Sequence, residues 1–190
     1  MGDYVTLMGA EQVGRAGQAM KQAADEMNRA ASNIHEALHR QRQDLQDHQI
    51  FLNDWLERFA ACVREVDYVA ARPFWHPDII VFGTYQELIH SRARWTETQW
   101  DNVWPRTADF AFDLDNTAVL VSADGGTATV IAPWTSTGFH ADGSHFDRPG
   151  RATIILARHA DGHWLGIHSH MSLQRGVPQD SHGNRPVKAR

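Results

Sequence analysis

The sequence predicts an α+β protein in which a curved antiparallel sheet wraps around helices. Over residues 50–71, apolar residues recur every three or four positions, as on one face of an amphipathic helix. After Pro105, apolar and polar residues alternate with a period of two. A period near 3.6 is typical of a helix packed on one side, and a period of two is typical of a half-buried strand. The order helix, short strand, helix and then antiparallel hairpins indicates a sheet that must curve to cover the helices.

Composition bounds the function classes. The 190 residues suffice for one globular domain with an appendage, and the net charge of −5 without a basic stripe argues against a nucleic-acid partner. The single cysteine, Cys62, can form neither an intramolecular disulfide nor a cysteine-based zinc site. The sequence carries no membrane-span pattern and no signal peptide, so we expect a cytoplasmic protein without a membrane partner. Seven tryptophans favour a cavity, because their rings need large buried surfaces.

The N-terminal segment, residues 1–49, is predicted to be a long amphipathic, coiled-coil-like helix. Apolar or small residues recur every seven positions in two registers four residues apart, the spacing of a coiled-coil seam. Gln41 and His48 interrupt one register, which places a domain boundary near residue 49. An unbroken helix over residues 12–70 would be about 85 Å long at about 1.5 Å per residue, so its first part must protrude, fold back or pair. A solvated helix, self-association and binding of another protein all stay open.

The second domain is predicted to span residues 50–176. Its first helix, residues 50–71, ends before Pro73, because a residue preceding proline avoids the α region. A buried strand follows over residues 79–84, and Ser91 can cap a second helix over residues 92–101.

Strands and turns alternate from residue 109 onward. Residues 109–115 place aromatic side chains on one face and acids on the other, and glycine-containing turns separate the later strands. The last two strands are joined at Ala160-Asp161-Gly162. The polar tail, residues 177–190, is predicted to be disordered.

Several short motifs carry a family resemblance. They are Phe82-Gly83-Thr84, Trp134-Thr135-Ser136-Thr137, Gly150-Arg151-Ala152-Thr153 and His168-Ser169-His170-Met171-Ser172. Over about residues 50–175 the chain resembles the SnoaL-like branch of the nuclear transport factor 2-like superfamily. It is also similar to the association domain of calcium/calmodulin-dependent kinase.

The resemblance implies a cone-shaped α+β barrel with a ligand pocket at its open end and a homodimer formed through the sheet. Members of the superfamily include isomerases, cyclases and hydrolases as well as non-catalytic ligand-binding and oligomerising modules, so the fold alone does not determine function. A strand-by-strand match places Trp134 and Ile155 where the kinase domain has pocket arginines. Arg151, on the same strand face as Ile155, is then the nearby basic candidate.

The candidate site residues fall into two groups. A cation such as Arg151 would hold a carboxylate or enolate oxygen, and aromatic side chains would line the cavity. The predicted ligand-binding residues are Arg151, Trp134, Thr153, Tyr85, Trp95 and Trp100. No catalytic residue is evident, because the acids of residues 109–115 face away from the aromatic side. His90, Asp78 and Asp147 are candidates because they lie near strand or loop ends.

The last strand raises a separate question about His168 and His170. Side chains two residues apart share a strand face, so this pair is a weak candidate for metal ligands. We expect the two histidines at an interface instead, with Leu165, Ile167 and Met171 facing the core. No cofactor is predicted.

The resulting functional prediction is a domain that binds a small, mostly apolar molecule and self-associates as a homodimer or higher oligomer. One alternative is an isomerase or cyclase that performs acid–base chemistry on a small hydrophobic carbonyl compound. Another is a pure oligomerisation module, which would have a filled interior.

Overall fold

A computed structural model describes residues 9–84, 88–140 and 142–178. The chain divides into two compact units, Met1–Gln46 and Asp47–Arg190. Within the described ranges, no helix combines the length and the apolar character that crossing a bilayer requires. The predicted disordered tail lies outside the described residues, apart from residues 177 and 178.

Helix α1, Ala10–Glu65, is continuous through the position at which the sequence suggested a boundary. In the first unit its side chains are exposed, and Met20, Met27 and Ile34 have exposed fractions of 69%, 66% and 61%. In the second unit one face is buried, with Leu52, Trp55, Leu56 and Phe59 in the core. The division into domains at residue 49 stays a prediction; the helix itself has no break there.

The predicted helix over residues 50–71 is interrupted near its end, which corrects the sequence prediction. Helix α1 ends at Glu65, Val66 adopts a positive φ of 58°, and a short helix α2 covers Tyr68–Ala71. The Asp67 side chain accepts a hydrogen bond from the backbone N–H of Ala70 at 2.9 Å. Aspartate is a favoured N-cap residue, so Asp67 starts a new helix instead of continuing the old one.

A broken helical segment connects the second and third strands. Ser91 caps it as predicted, because its Oγ accepts a hydrogen bond from the N–H of Arg94 at 3.3 Å. The segment consists of helix α3 at Arg92–Trp95, a π-helical turn at Thr96–Trp100, helix α4 at Asp101–Val103 and a 3₁₀ turn at Trp104–Arg106. A separate 3₁₀ turn at Arg72–Phe74 precedes the first strand.

Eight strands of the described part of the chain form one curved sheet. They are β1 Trp75–Phe82, β2 Leu88–His90, β3 Ala108–Phe112, β4 Ala118–Val121, β5 Thr127–Phe139, β6 His145–Asp147, β7 Gly150–Arg158 and β8 Trp164–Leu173. The order is β2-β1-β8-β7-β5-β3, and β4 and β6 each pair with β5. The sheet is mixed, because β1 and β8 run parallel while the other pairs are antiparallel. The predicted antiparallel barrel is therefore corrected to an open, mixed sheet; the first and last strands of the domain meet in its middle.

The core lies between the buried face of α1, the helical segment and the inner face of the sheet. Alternation along β5 buries Val130, Ala132 and Trp134, and alternation along β7 buries Ile154 and Leu156. Burial of a large apolar side chain contributes about 1.5–3 kcal/mol, so these residues stabilise the packing of the sheet against the helices.

A β-bulge at Ile167 changes the predicted faces of β8. Gly166 pairs with Leu156 and His168 with Ile155, so Ile167 is the extra residue. A bulge of one residue reverses the alternation on either side of it. Before the bulge, Trp164 and Gly166 face the core, so the prediction that Leu165 and Ile167 face it is wrong. After the bulge, Met171 packs against the core as predicted. Gly166 leaves room for the Trp75 ring, which a Cβ would overlap.

Candidate functional site

A cavity lies between the helical segment and the inner face of the sheet. The cavity volume is about 30 Å³, which is room for about two waters. Its lining is mainly aromatic and aliphatic, with four polar exceptions that include one cation. The lining residues are Phe59, Val63, Thr84, Trp95, Gln99, Val103, Trp104, Thr107, Phe110, Trp134, Arg148 and Met171.

Arg148 is the cation of this cavity. It follows β6, and its backbone N–H donates to the carbonyl of Ser136 at 2.8 Å while its carbonyl accepts from the Ser136 N–H at 3.1 Å. Ser136 lies at an inward position of β5, so this pairing directs Arg148 inward as well. Only 3% of the arginine surface is exposed.

Neutral groups surround the guanidinium. Nη1 donates to the Ser136 hydroxyl at 3.2 Å and Nη2 to the Thr84 hydroxyl at 3.1 Å. The guanidinium carbon lies 5.3 Å from the centroid of the Trp134 ring, a cation–π distance. Among the described residues, no carboxylate forms an ion pair with Arg148, and its Nε has no hydrogen-bond partner.

Burial destabilises the charged form of Arg148. It lowers the pKa of the guanidinium to about 10, and desolvation is the cause. The side chain is therefore still cationic at neutral pH. A buried charge is costly unless it is paired, so this side chain is held in an environment that an anion would complete.

Three further buried polar atoms, which belong to side chains that line the cavity, lack a hydrogen-bond partner within the described part of the chain. They are the indole Nε1 atoms of Trp95 and Trp134 and the Oε1 atom of Gln99. Most buried polar atoms in proteins are paired, so several unpaired ones on a single cavity are unusual. Two indole donors and the Nε–H of Arg148 suit an oxyanion. The Gln99 side chain lies against Gly83, where a Cβ would overlap it.

The structure brings together some of the predicted ligand-binding residues. Trp134 and Trp95 line the cavity. Trp100 does not; it stacks on Trp104, with ring centroids 4.3 Å apart, and is fully buried behind it. Tyr85 lies outside the described residues.

Arg151 and Thr153 do not line the cavity. On β7 the inward positions are Gly150, Ala152 and the even-numbered residues after them, so Arg151 and Thr153 point to the opposite face of the sheet. Arg151 is exposed and its Nε donates to the Ser172 hydroxyl at 3.0 Å. The predicted position of the pocket cation is therefore corrected from Arg151 to Arg148. Gly150 occupies the inward position instead, since a Cβ there would overlap the Trp134 ring.

The three catalytic candidates lie at exposed positions away from the cavity lining. Asp78 donates its backbone N–H to the His76 ring at 3.1 Å, His90 ends β2, and Asp147 ends β6. All three are exposed. No aspartate, glutamate or histidine is among the residues that line the cavity, as far as the described ranges reach.

His168 and His170 lie on the outer face of the sheet. Nδ1 of His168 is 2.9 Å from the carbonyl oxygen of Ile80; a carbonyl only accepts, so Nδ1 carries the proton. Both imidazoles contact the Phe82 ring, at centroid distances of 6.0 and 5.5 Å. Residues 9–84, 88–140 and 142–178 contain no group of three or more histidine, cysteine or acidic side chains arranged to hold a metal ion.

Sequence reasoning missed Arg148 and Gln99. Arg148 lies in the Asp-Arg-Pro sequence after a three-residue strand, where no alternation indicates which way a side chain points. Gln99 could have been found, because it lies four residues after Trp95 on the same helical face.

Comparison with known proteins agrees with this architecture. A nuclear transport factor 2-like superfamily protein from Salmonella enterica has a TM-score of 0.57 and 17% identity, with 68% of this chain and 94% of that chain covered. The association domain of calcium/calmodulin-dependent kinase II from C. elegans has a TM-score of 0.55 and 11% identity, with 68% and 98% covered. A ketosteroid isomerase-like protein from Erwinia carotovora has a TM-score of 0.53 and 15% identity, with 63% and 91% covered.

These likenesses establish the fold alone. No curated protein sequence matches the chain. The family model described as the SnoaL-like domain matches residues 52–175, which is more than half of the chain. The predicted resemblance is thereby confirmed, and the chain belongs to the SnoaL-like domain family, with a nuclear transport factor 2-like fold.

Proposed function

We propose that the domain binds a small, largely apolar molecule that carries an oxyanion, a carboxylate or an enolate, against Arg148. The observation that supports this most strongly is a cation that is 3% exposed, lies in a mainly apolar cavity and has no anionic partner among the described residues. An oxyanion would accept from Nε of Arg148, and an apolar body would contact Phe110, Trp104 and Met171.

Size limits the ligand in the conformation described. A cavity of about 30 Å³ admits a carboxylate group as it stands, whereas a ring such as that of benzoate needs neighbouring side chains to move. A larger ligand therefore requires side chains to move. Met171 is suited to this, because it is half-buried and methionine is flexible.

The isomerase or cyclase alternative requires a proton-transfer group within hydrogen-bond reach of the ligand. The described cavity wall contributes a cation and indole donors but no carboxylate or imidazole. This composition favours binding over acid–base catalysis. A pure oligomerisation module would not account for a buried cation that has no anionic partner among the described residues.

The test is calorimetric titration with benzoate and with benzamide, two planar molecules of nearly the same shape. We expect benzoate to bind and benzamide to bind at least about tenfold more weakly, because a hydrogen bond to a charged group contributes about 1.5–3 kcal/mol. The variants Asp78→Asn, His90→Ala and Asp147→Asn should keep the benzoate affinity within about twofold, since these side chains lie away from the cavity. Equal affinities for benzoate and benzamide would refute the proposal.

A second function, self-association through the outer face of the sheet, is favoured by an exposed apolar patch. This outer patch comprises Ile80, Phe82 and Leu88, which are 42%, 43% and 50% exposed, together with His168 and His170. Apolar side chains grouped on one sheet face are typical of an interaction surface.

The variant Phe82→Lys tests the outer patch. A buried lysine without a partner would oppose the contact, so we expect a lower mass by light scattering at a fixed protein concentration. Leu120→Lys is the matched control, because Leu120 is 60% exposed on β4 outside the patch and should leave the mass unchanged. Identical masses for the two variants and the wild type would contradict the role of the patch.

A further inference from the structure

The first unit contains a repeated pattern of large and small residues that the cavity and the outer patch do not use. Between residues 13 and 38, the large positions of the seam are Val13, Met20, Met27 and Ile34. Four residues after the first three of these come the small positions Gly17, Ala24 and Ala31, and Leu38 follows Ile34. All of these side chains are exposed on α1, so the seam has no partner within the described part of the chain.

An alanine precedes each of the four residues Gly17, Ala24, Ala31 and Leu38. These alanines, at 16, 23, 30 and 37, lie next to the seam on one side. Small side chains on an interface allow two helix backbones to approach closely, as do the small residues of other tightly packed helix pairs. This alanine edge favours another helix over a flat or bulky surface.

We propose that this seam binds a second copy of the chain in the antiparallel direction, with Ala24 of one copy opposite Met27 of the other. The reason is the packing of layers. In a parallel pair each position faces itself, so small layers such as Ala24 against Ala24 would alternate with large layers such as Met27 against Met27. Reversing one helix places each large position opposite a small one, which is the arrangement that fills space evenly.

The same register is consistent along the whole seam. With Ala24 opposite Met27, Ala31 faces Met20 and Gly17 faces Ile34. The two ends match as well, because Leu38, the one large residue in the small series, faces Val13, the smallest of the large series. A second copy of this chain therefore supplies the complementary surface, and the two-fold symmetry makes every such contact occur twice.

The flanking residues place no like charges together in this register. On one edge of the seam, Ala23 of one copy faces Ala30 of the other. On the other edge Lys21 of one copy lies near Asn28 of the second. A shift by one heptad that brought Lys21 against Lys21 would be opposed by charge repulsion.

Spin labels at two equivalent heptad positions, Arg29→Cys and Glu36→Cys, distinguish the possible arrangements. Each is made in the full chain with Cys62→Ser, and distances are measured by pulsed electron resonance. Both positions face away from the seam. In the proposed pair the two copies of residue 29 are offset by roughly 10 Å along the axis and those of residue 36 by roughly 32 Å, at about 1.5 Å per residue. A longer distance at 36 than at 29 supports the proposal.

Two other outcomes overturn the proposal. Equal distances at 29 and 36 would indicate a parallel pair, and dipolar coupling that is no stronger than in an Ala24→Glu variant would indicate that the seam does not pair. Glutamate is a good helix former, so this variant removes the contact without breaking the helix. Ser32→Glu, which faces away from the seam, is the matched control and should retain the coupling.

Discussion

Replacing Arg148 with methionine is expected to stabilise the folded domain and to abolish benzoate binding. Burial lowers the pKa of Arg148 to about 10, and a shift of this size from the ordinary arginine pKa corresponds to roughly 3 kcal/mol of cost for the charged form. Methionine has a similar length and carries no charge. The loss of the hydrogen bonds to Ser136 and Thr84, each worth about 0.5–1.5 kcal/mol, offsets part of the gain. We expect the free energy of unfolding in urea to rise by up to about 2 kcal/mol at pH 7.

The sign of the pH dependence follows from the lowered pKa. Below about pH 10 the guanidinium is charged in both the folded and the unfolded state, so the full cost is present at pH 7. Above about pH 10 the folded state releases the proton first, and the advantage of the methionine variant shrinks. Arg151→Met is the matched control; Arg151 is exposed on the outer face, so stability should change by no more than about 0.5 kcal/mol. A marked loss of stability in Arg148→Met would mean that the arginine has a structural role.

Truncation of Trp75 is expected to have the largest effect on folding. Its ring is 1% exposed and packs edge-on against Trp55, Phe59 and Trp95, at centroid distances of 5.2, 4.9 and 5.0 Å. It joins the first helix, the helical segment and the sheet at one point. Trp75→Ala should reduce the free energy of unfolding by about 3–5 kcal/mol in urea denaturation.

Phe51→Ala provides the comparison for Trp75→Ala. Phe51 is an aromatic residue of the same domain, but 42% of its surface is exposed. Its truncation should therefore cost less than about 1 kcal/mol. If the two variants lost similar stability, Trp75 would not be the central residue of the core.

The elements of the fold were largely predictable, because their patterns are local. The alternation that buries Phe110 and Phe112 and the cap at Ser91 follow from neighbouring residues alone. The parallel pairing of β1 with β8 did not follow, since it joins strands from opposite ends of the domain. No local pattern reports which distant strand a given strand will contact.

The site was less predictable because it depends on which face each side chain takes. Trp134 and Trp95, which were predicted to bind a ligand, line the cavity. Arg151 does not, because the face of β7 that a residue takes depends on the whole sheet. The cation on the cavity is Arg148, which lies in a loop. The bulge at Ile167 likewise reversed the faces of β8 without a sequence signal such as glycine at the extra position.

The measurement that tests the central claim most directly is a benzoate titration followed by nuclear magnetic resonance of the indole Nε1–H groups and the Arg148 Nε–H group. These protons have no hydrogen-bond partner in the described structure at Trp95, Trp134 and Arg148. If benzoate binds at Arg148, the Nε–H resonance of Arg148 and the indole resonance of Trp134 should shift in a saturable way, and benzamide should shift them much less. If saturating benzoate leaves both resonances unchanged, the cavity around Arg148 is not an oxyanion site.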